Sequence, residues 1–389
     1  MTASIDDNGY PLGFKIGAGR RISTLATGKP GDDVVVAEVR HVGHHQKEAV
    51  VEEGRGGPLW RLASDEGVHL KGTDLAPFPL GYYNAGLQAD LAGRIARLAS
   101  ARGIELRKLA MTLTTAYSLT GSFVQGTGQG VAEGVTIELD VGSDATPESI
   151  AKLVRDAVAA SPALAMVTTQ IDNTFALYVN GRRKNPVTLP ASDAANAEDP
   201  FIKYRDLPRP LPAAADASRL VVKTGEQQPG EPILAPVAGK VIREIKGRGE
   251  LTDMKGVYRT KVALNLPGSS YFEFSADETG AASAPTGLAL ATAGIAFCYI
   301  TQISRYIENM KLPIRGVRLV QSSPYGITAD GRGTAAACDT HLFLNGETDD
   351  DTFEMLQRVA ANTCYLHQTM IQMPALRIDL RHNGTALSL

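Results

Sequence analysis

The sequence predicts an α+β fold built twice in one chain, with antiparallel sheets packed on long central helices. The first observation behind this is an apolar helical phrase at residues 85–97 that returns at 293–305. The second is a further helical phrase at 148–161 that matches 351–364 in its apolar and arginine positions. The third is that both halves run in one order: a β-rich segment, a helix, two strands, a helix and a strand. Self-similarity on this scale determines how a chain divides into structural units.

The composition is that of a globular protein and argues against several function classes. The chain has 389 residues, of which 43% are hydrophobic and 21% are charged, and its formal net charge is −3. This length favours two domains over a single core. A slightly acidic chain without a long basic run argues against partners such as nucleic acid or an anionic membrane.

The cellular setting is predicted from the cysteines and the N-terminus. Three cysteines do not make a disulfide framework, and the N-terminus lacks the basic and apolar regions of a signal peptide. We therefore expect a reducing, cytoplasmic setting in which a disulfide would be transient and catalytic. The most apolar window, residues 288–307, is interrupted by polar residues and predicts a buried helix of a soluble fold.

The repeat and a change in composition set the predicted domain boundaries. We expect an N-terminal domain at 31–184 and a C-terminal domain at 217–389. Between them, residues 185–216 are rich in proline and have almost no periodicity, which is typical of a linker.

In the first half, residues 1–30 are polar and glycine-rich and predict an irregular arm. Thr146 followed by proline and an early acid predicts the start of the second helix. Short runs rich in valine and leucine, or alternating in polarity, predict strands at 34–42, 49–53, 59–62, 68–71, 109–118, 131–141 and 174–180. Apolar residues at three- and four-residue intervals predict the first long helix at 79–101.

The second half repeats this order. The predicted strands are 237–244, 257–265, 270–274, 317–322, 334–344 and 375–380. The predicted helices are 285–310 and 351–370, and the apolar residues of each recur at helical spacing.

The two copies differ at the positions with the most chemistry. Asp90 stands where the second copy has Cys298, and Ser161 stands where it has Cys364. A thiol pair in only one copy predicts one working site and one degenerate partner. Buried cysteines more often serve as small apolar core residues, and that interpretation stays open beside the reactive one. A reactive pair needs a cation or a helix N-terminus to favour the thiolate.

The arrangement of a cysteine in the first long helix and another late in the second helix resembles the OsmC/Ohr family. Members of that family are thiol-dependent organic hydroperoxide reductases and their relatives. The resemblance implies that the chain is a fused, intramolecular pseudo-dimer of two OsmC-like domains. It also implies that a peroxide oxidises Cys298, that Cys364 then condenses with it, and that an external dithiol restores both. One departure is that Cys364 is followed by Tyr365 and Leu366, where the family has Pro-Val.

The family also uses an arginine in a Gly-Arg-x-Gly turn, and the segment at 54–57 has this form with Arg55. The resemblance implies that Arg55 serves the cysteines of the other half through a charge-assisted contact. Arg248 is a weaker substitute. The glutamate that the peroxide-reducing members place about ten residues before the first cysteine is missing, and Asp277 and Glu278 are the nearest upstream acids.

His367 supports a different chemistry on the same scaffold. It lies three residues after Cys364 and could act as its base, which would suit a cysteine-dependent hydrolase or lyase for a small aromatic or apolar metabolite. A buried, hydrogen-bonded core histidine is the alternative. A third possibility is a small-molecule-binding protein without catalysis.

The leading prediction is a thiol peroxidase whose partners are a small apolar substrate, such as an organic hydroperoxide, and a dithiol reductant. We expect no cofactor and no metal. Cys338 and His341 lie on one predicted strand with opposite orientations, which is poor geometry for a shared metal ion. A further homodimer is expected because isologous dimers are common.

Overall fold

The two long sheets of this protein each take strands from both halves of the chain. The computed structural model describes residues 4–16, 32–54, 56–201, 204, 209–210, 219–231, 241–252 and 256–389. In the first half the elements are β1 (Gly13–Ile16), β2 (Asp33–Gly43), β3 (Gln46–Glu53), β4 (Leu59–Ser64), α1 (Pro79–Ala101), β5 (Leu106–Thr120), β6 (Gln129–Ser143), α2 (Pro147–Ala159), α3 (Pro162–Thr168), β7 (Thr174–Val179) and β8 (Arg182–Lys184).

The second half has the same kinds of element in nearly the same order. They are β9 (Val221–Gln227), β10 (Arg243–Leu251), β11 (Val257–Leu264), β12 (Ser270–Asp277), α4 (Gly287–Met310), β13 (Ile314–Ile327), β14 (Gly333–Ala335), β15 (Asp339–Gly346), α5 (Asp350–Thr363), α6 (Tyr365–Gln372), β16 (Leu376–His382) and β17 (Thr385–Leu387).

The strand orders of the two sheets correspond. The first sheet runs β1-β4-β3-β2-β13-β15-β7-β8, with β14 beside β13, and the second runs β9-β12-β11-β10-β5-β6-β16-β17. In each, four strands of one half are followed by two strands of the other half and then by two more of the first. The named strands pair antiparallel except β7 with β15 and β6 with β16, which are parallel. The predicted α+β class is therefore confirmed, with two antiparallel-dominated sheets.

The long helices α1 and α4 pack against each other, and one hydrophobic core joins them to residues of both sheets. Glycine permits this close approach at two positions that the repeat aligns, Gly86 and Gly294. A Cβ on Gly86 would lie 2.5 Å from the carbonyl oxygen of Gly287, and one on Gly294 would lie 2.8 Å from the backbone nitrogen of Tyr83. By length and composition α4 could span a membrane, but its apolar window is wholly buried, as in the core helix of a soluble protein.

Several predicted boundaries are wrong for local reasons. Residues 68–71, predicted as a strand, form a short 3-10 helix at Val68–Leu70. The following chain folds around Asp65, whose Oδ2 accepts hydrogen bonds from the backbone nitrogens of Thr73 and Leu75 at 3.1 and 3.0 Å. This local carboxylate turn outweighs the strand propensity of valine and leucine.

Two further differences concern the second half. The strand predicted at 237–244 is β10, which begins only at Arg243; residues 237–240 lie outside the described residues. The single helix predicted at 351–370 is broken into α5 and α6 at Cys364, whose backbone is extended (φ −71°, ψ 107°). In the first half the corresponding helix is interrupted at the equivalent residue, Ser161. Its side chain accepts a hydrogen bond from the backbone nitrogen of Leu164 and so caps α3.

Candidate functional site

The structure brings two of the three cysteines into contact. Cys298 lies in the middle of α4, and Cys364 lies at the junction between α5 and α6. The two thiols lie close enough to interact although 66 residues separate them in sequence. Both are free thiols, with exposed fractions of 2% and 0%. A disulfide between them therefore needs little rearrangement of the chain.

Cys364 occupies a helix break that directs polar groups at its sulfur. The backbone nitrogens of Leu366 and His367 point at the thiol, and the Nδ1 of His367 lies 3.1 Å from Sγ. Burial raises the pKa of Cys364 well above its ordinary value, and the neighbouring Cys298 raises it further. The two backbone N–H groups favour the thiolate but do not outweigh burial. Cys364 is thus a protonated thiol at neutral pH.

His367 is a neutral base in contact with this thiol. Burial lowers the pKa of His367 to about 3. Its Nε2 is buried and has no hydrogen-bond partner among the described residues. With Nδ1 on the thiol, this neutral imidazole could accept the proton of Cys364.

A buried lysine and a buried glutamate from the first half lie near Cys298. Lys47 of β3 is fully buried, and its Nζ lies 2.8 Å from the carbonyl oxygen of His45 and 3.6 Å from Oε1 of Glu66. The same oxygen of Glu66 accepts a hydrogen bond of 2.6 Å from Thr301, one turn after Cys298 on α4. Burial lowers the pKa of Lys47, whereas Glu66, then Asp65 and Cys298, act in the opposite direction. A charged Lys47 and a Cys298 thiolate would stabilise each other.

A small cavity of about 30 Å³ opens beside Cys298. Four of its lining residues stand at i, i+3, i+4 and i+7 on one face of α4: Cys298, Thr301, Gln302 and Arg305. The rest of the wall comes from both halves and consists of Glu66, His69, Leu70, Phe78, Pro79, Leu80, Arg243, Leu264 and Tyr365. The cavity thus combines a thiol, two guanidinium groups and an apolar surface.

The other predicted site residues lie elsewhere. Arg55 falls outside the described residues. Arg248 is exposed on β10 and lines a surface concavity of the second sheet rather than the thiol cavity. Asp277 is bound within its own turn by Thr279 and Ser283. Arg248 and Asp277 are therefore wrong as substitutes, because neither borders the cavity at Cys298.

Glu278 was the second residue predicted to replace the missing glutamate. It lies in the region of the first copy that corresponds to the thiol site of the second. There the Asp90 carboxylate accepts hydrogen bonds of 2.5 Å from the Ser161 hydroxyl and 3.2 Å from the Ala163 backbone. Glu278 contacts Arg97 at 3.5 Å, and burial, followed by the charge of Asp90, raises its pKa to about 7. A carboxylate and a hydroxyl, Asp90 and Ser161, stand in this copy where the other has its two thiols.

Glu66 and Lys47 were not predicted from the sequence, because the family's glutamate was expected in the stretch before Cys298. The repeat contained a usable signal. An acidic pair, Asp65 and Glu66, follows β4, and the pair Asp277 and Glu278 stands at the end of β12, the strand with the corresponding place in the other sheet. Aligning these pairs would have placed a glutamate of each half beside the long helix of the other.

The third cysteine has different surroundings. Cys338 is buried, which raises the pKa of its thiol to about 12, and its Sγ lies 3.7 Å from the Ser323 hydroxyl. Asp339 and His341 contact each other at 3.1 Å, and the Ser192 hydroxyl lies within 3.2 Å of both side chains. Through Ser192, this polar cluster holds the segment after β8 against β15 of the first sheet.

Comparison with known proteins gives one structural likeness. No protein-family model matches the chain, and no curated protein matches it. Among solved structures, an OsmC-like hydroperoxide resistance protein from Jannaschia sp. CCS1 matches at 23% sequence identity with a TM-score of 0.25. The match covers 96% of that chain and 37% of this one. These values are too low to place the chain in a family.

Proposed function

We propose that the chain is an OsmC-like thiol peroxidase that reduces organic hydroperoxides through Cys298 and Cys364. The observation that carries the proposal is the proximity of these two thiols next to a cavity lined by Cys298 and the buried Glu66, with the buried Lys47 3.6 Å from that glutamate. A pair of packing cysteines would not need such charges next to it, since burying them is costly.

In the first step the Cys298 thiolate attacks the outer oxygen of the hydroperoxide. The sulfur–oxygen bond forms as the oxygen–oxygen bond breaks, and the departing alkoxide takes up, through solvent, the proton that the thiol released on ionisation and leaves as the alcohol. Cys298 is oxidised to the sulfenic acid. Lys47 stabilises the thiolate before attack, and Glu66 fixes the lysine through the 3.6 Å contact.

In the second step Cys364 attacks the sulfenic acid. His367 accepts the thiol proton at Nδ1 and passes it to the departing hydroxyl, so that the sulfur–sulfur bond forms as the sulfur–oxygen bond of the sulfenic acid breaks and water leaves. An external dithiol then reduces the disulfide by thiol–disulfide exchange and is itself oxidised. The existing contact between the thiols favours fast closure.

The fused architecture explains why a single chain suffices. We propose that the predicted domains, 31–184 and 217–389, form an intramolecular pseudo-dimer, and the corresponding strand orders of the two sheets support this. The first half supplies Lys47 and Glu66 to the thiols of the second. Further homodimerisation, a cytoplasmic setting and the role of Arg55 are part of the same proposal, by resemblance to the OsmC/Ohr family.

Stopped-flow oxidation of the reduced protein by cumene hydroperoxide tests the proposal. Wild type should consume peroxide and form a disulfide, whereas Cys298→Ser should do neither. Cys364→Ser should be oxidised once and stop at the sulfenic acid. Cys338→Ser is the matched control and should behave as wild type. Equally slow peroxide consumption by wild type and Cys298→Ser would show that the chain is not a thiol peroxidase.

A cysteine-dependent hydrolase or lyase is the second candidate, and the 3.1 Å contact between His367 and Cys364 favours it. In this alternative His367 activates Cys364 as a nucleophile toward a small aromatic or apolar metabolite. An ester- or lyase-type activity that disappears in His367→Ala, together with negligible peroxide turnover by wild type, would establish it.

A further inference from the structure

Two arginines face the thiol cavity without a carboxylate partner. Arg243 begins β10, and Arg305 lies two turns after Cys298 on α4; both are half-buried and line the cavity. Among the described residues, their hydrogen bonds are to neutral groups: Arg243 donates to the Tyr365 hydroxyl at 3.1 Å, and Arg305 donates to Gln302 at 2.9 Å. Within the described part of the chain, neither arginine forms a salt bridge.

The charge balance of the cavity is positive. Burial lowers the pKa of Arg305 and Arg243 adds to this, whereas Tyr365, Glu66 and Cys298 act in the opposite direction. Burial also lowers the pKa of His69 to about 4, with contributions from both arginines, so His69 adds no negative or positive charge at neutral pH. The one carboxylate of the wall, Glu66, contacts Lys47. Guanidinium groups held together out of water are stabilised by an anion that binds between them.

The other copy shows what such an anion would do. Arg97, which the repeat aligns with Arg305, contacts the Glu278 carboxylate at 3.5 Å. Arg94 contacts Asp90 at 3.2 Å. The first copy therefore neutralises its arginines with carboxylates of the chain itself, including the one that occupies the place of Cys298. The second copy has a thiol at that place and Gln302 where the first has Arg94, and its Arg305 forms no salt bridge with a described residue.

We propose that Arg243 and Arg305 form an anion subsite that holds an acidic group of the substrate next to Cys298. Resting on the proposed peroxidase function, the inference identifies the substrate as an organic hydroperoxide that carries a carboxylate. A cavity of about 30 Å³ has room for roughly two water-sized groups, which suits a carboxylate. Leu70, Phe78 and Leu80 provide the apolar part of the wall for the carbon chain.

Alkylation of Cys298 by iodoacetate and by iodoacetamide tests the subsite without any peroxide. The two reagents differ only in a carboxylate against a neutral amide. The ratio of their rates, read by mass spectrometry of the Cys298 peptide, should fall about tenfold in Arg305→Gln and in Arg243→Gln, as expected for a lost charge-assisted contact. Arg305→Lys should recover part of the ratio. Arg315→Gln, on an exposed position of β13, is the matched control and should keep the wild-type ratio.

Competition by small anions in the wild-type protein tests the subsite even if the arginine variants fold poorly. Millimolar acetate should slow the reaction of Cys298 with iodoacetamide, and acetamide should not. An unchanged rate ratio in both arginine variants, or a Cys298 that reacts with neither reagent in the folded protein, would overturn the subsite. If the ratio falls as expected but wild type does not consume cumene hydroperoxide, the peroxidase proposal fails and the anion subsite stands.

Discussion

Removal of Lys47 should strongly destabilise the protein, because it leaves Glu66 buried without its cation. The two charges are 3.6 Å apart, and the side chains are 0% and 7% exposed. At an effective dielectric constant of about 20, Coulomb's law gives an attraction of about 5 kcal/mol at this distance. Removing one partner of such a buried pair usually costs about 3–5 kcal/mol. We expect Lys47→Met to lower the free energy of unfolding by that amount.

A double-mutant cycle separates the pair from its surroundings. Glu66→Gln keeps an acceptor for the Thr301 hydroxyl and should cost about 3 kcal/mol, because it leaves Lys47 buried and unpaired. The double variant should cost at least 2 kcal/mol less than the sum of the two single changes, since coupled contacts are not additive.

The assay is urea unfolding of the fully reduced protein. Lys261→Met is the matched control, because the Lys261 side chain is 32% exposed and its partner Glu226 is 63% exposed; it should cost less than about 1 kcal/mol. Additivity of the Lys47 and Glu66 changes to within about 0.5 kcal/mol would refute the argument that they act as a buried pair. In the same variants, oxidation of Cys298 at pH 7 should slow, because the thiolate has lost its cation.

Three further outcomes follow from contacts near the site and between the helices. His367→Gln should leave the first oxidation unchanged and slow disulfide closure about a hundredfold, measured by acid quench and mass spectrometry, because the base for Cys364 is gone; equal closure rates would exclude that role. Glu278 binds its proton more tightly in the folded state, where its pKa is about 7 against an ordinary 4.5, so wild-type stability should fall by about 3 kcal/mol as pH rises from 4.5 through 7. Unfolding at several pH values should show that Glu278→Gln loses this slope, and an unchanged slope would contradict the assignment. Gly294→Ala should lower the free energy of unfolding in urea by about 1–3 kcal/mol, because its Cβ meets backbone atoms. Gly81→Ala is the control and should be near neutral, since its Cβ meets only the Phe78 ring at 3.3 Å. Equal losses of stability would contradict the close helix packing.

The repeat predicted the main elements well because both long helices carry strong local patterns. The first is confirmed at Pro79–Ala101 and the second at Gly287–Met310, within two residues of the predicted ends. Several strands lie close to their predicted bounds, but the strand predicted at 334–344 is divided into β14 and β15, and the one predicted at 317–322 extends over Ile314–Ile327. The short edge strands β1 and β9 were missed, because each is held by its neighbouring strand rather than by a periodic pattern of its own.

The candidate site was predictable only in part. The difference between the copies singled out Cys298 and Cys364, and the structure places them in contact. Lys47 and Glu66 could not be found by searching near the cysteines, because exchange of strands between the halves brings them from more than 200 residues away. Such contacts depend on the tertiary arrangement, which local sequence patterns do not reveal.

Peptide mapping after one equivalent of cumene hydroperoxide shows directly which cysteines the peroxide oxidises to a disulfide. Reduced protein should be treated, alkylated and digested without reductant, and its disulfides identified by mass spectrometry. We expect a single intramolecular bond between Cys298 and Cys364, with Cys338 still a free thiol. Three intact thiols, or bonds that join Cys338 or separate chains, would contradict it.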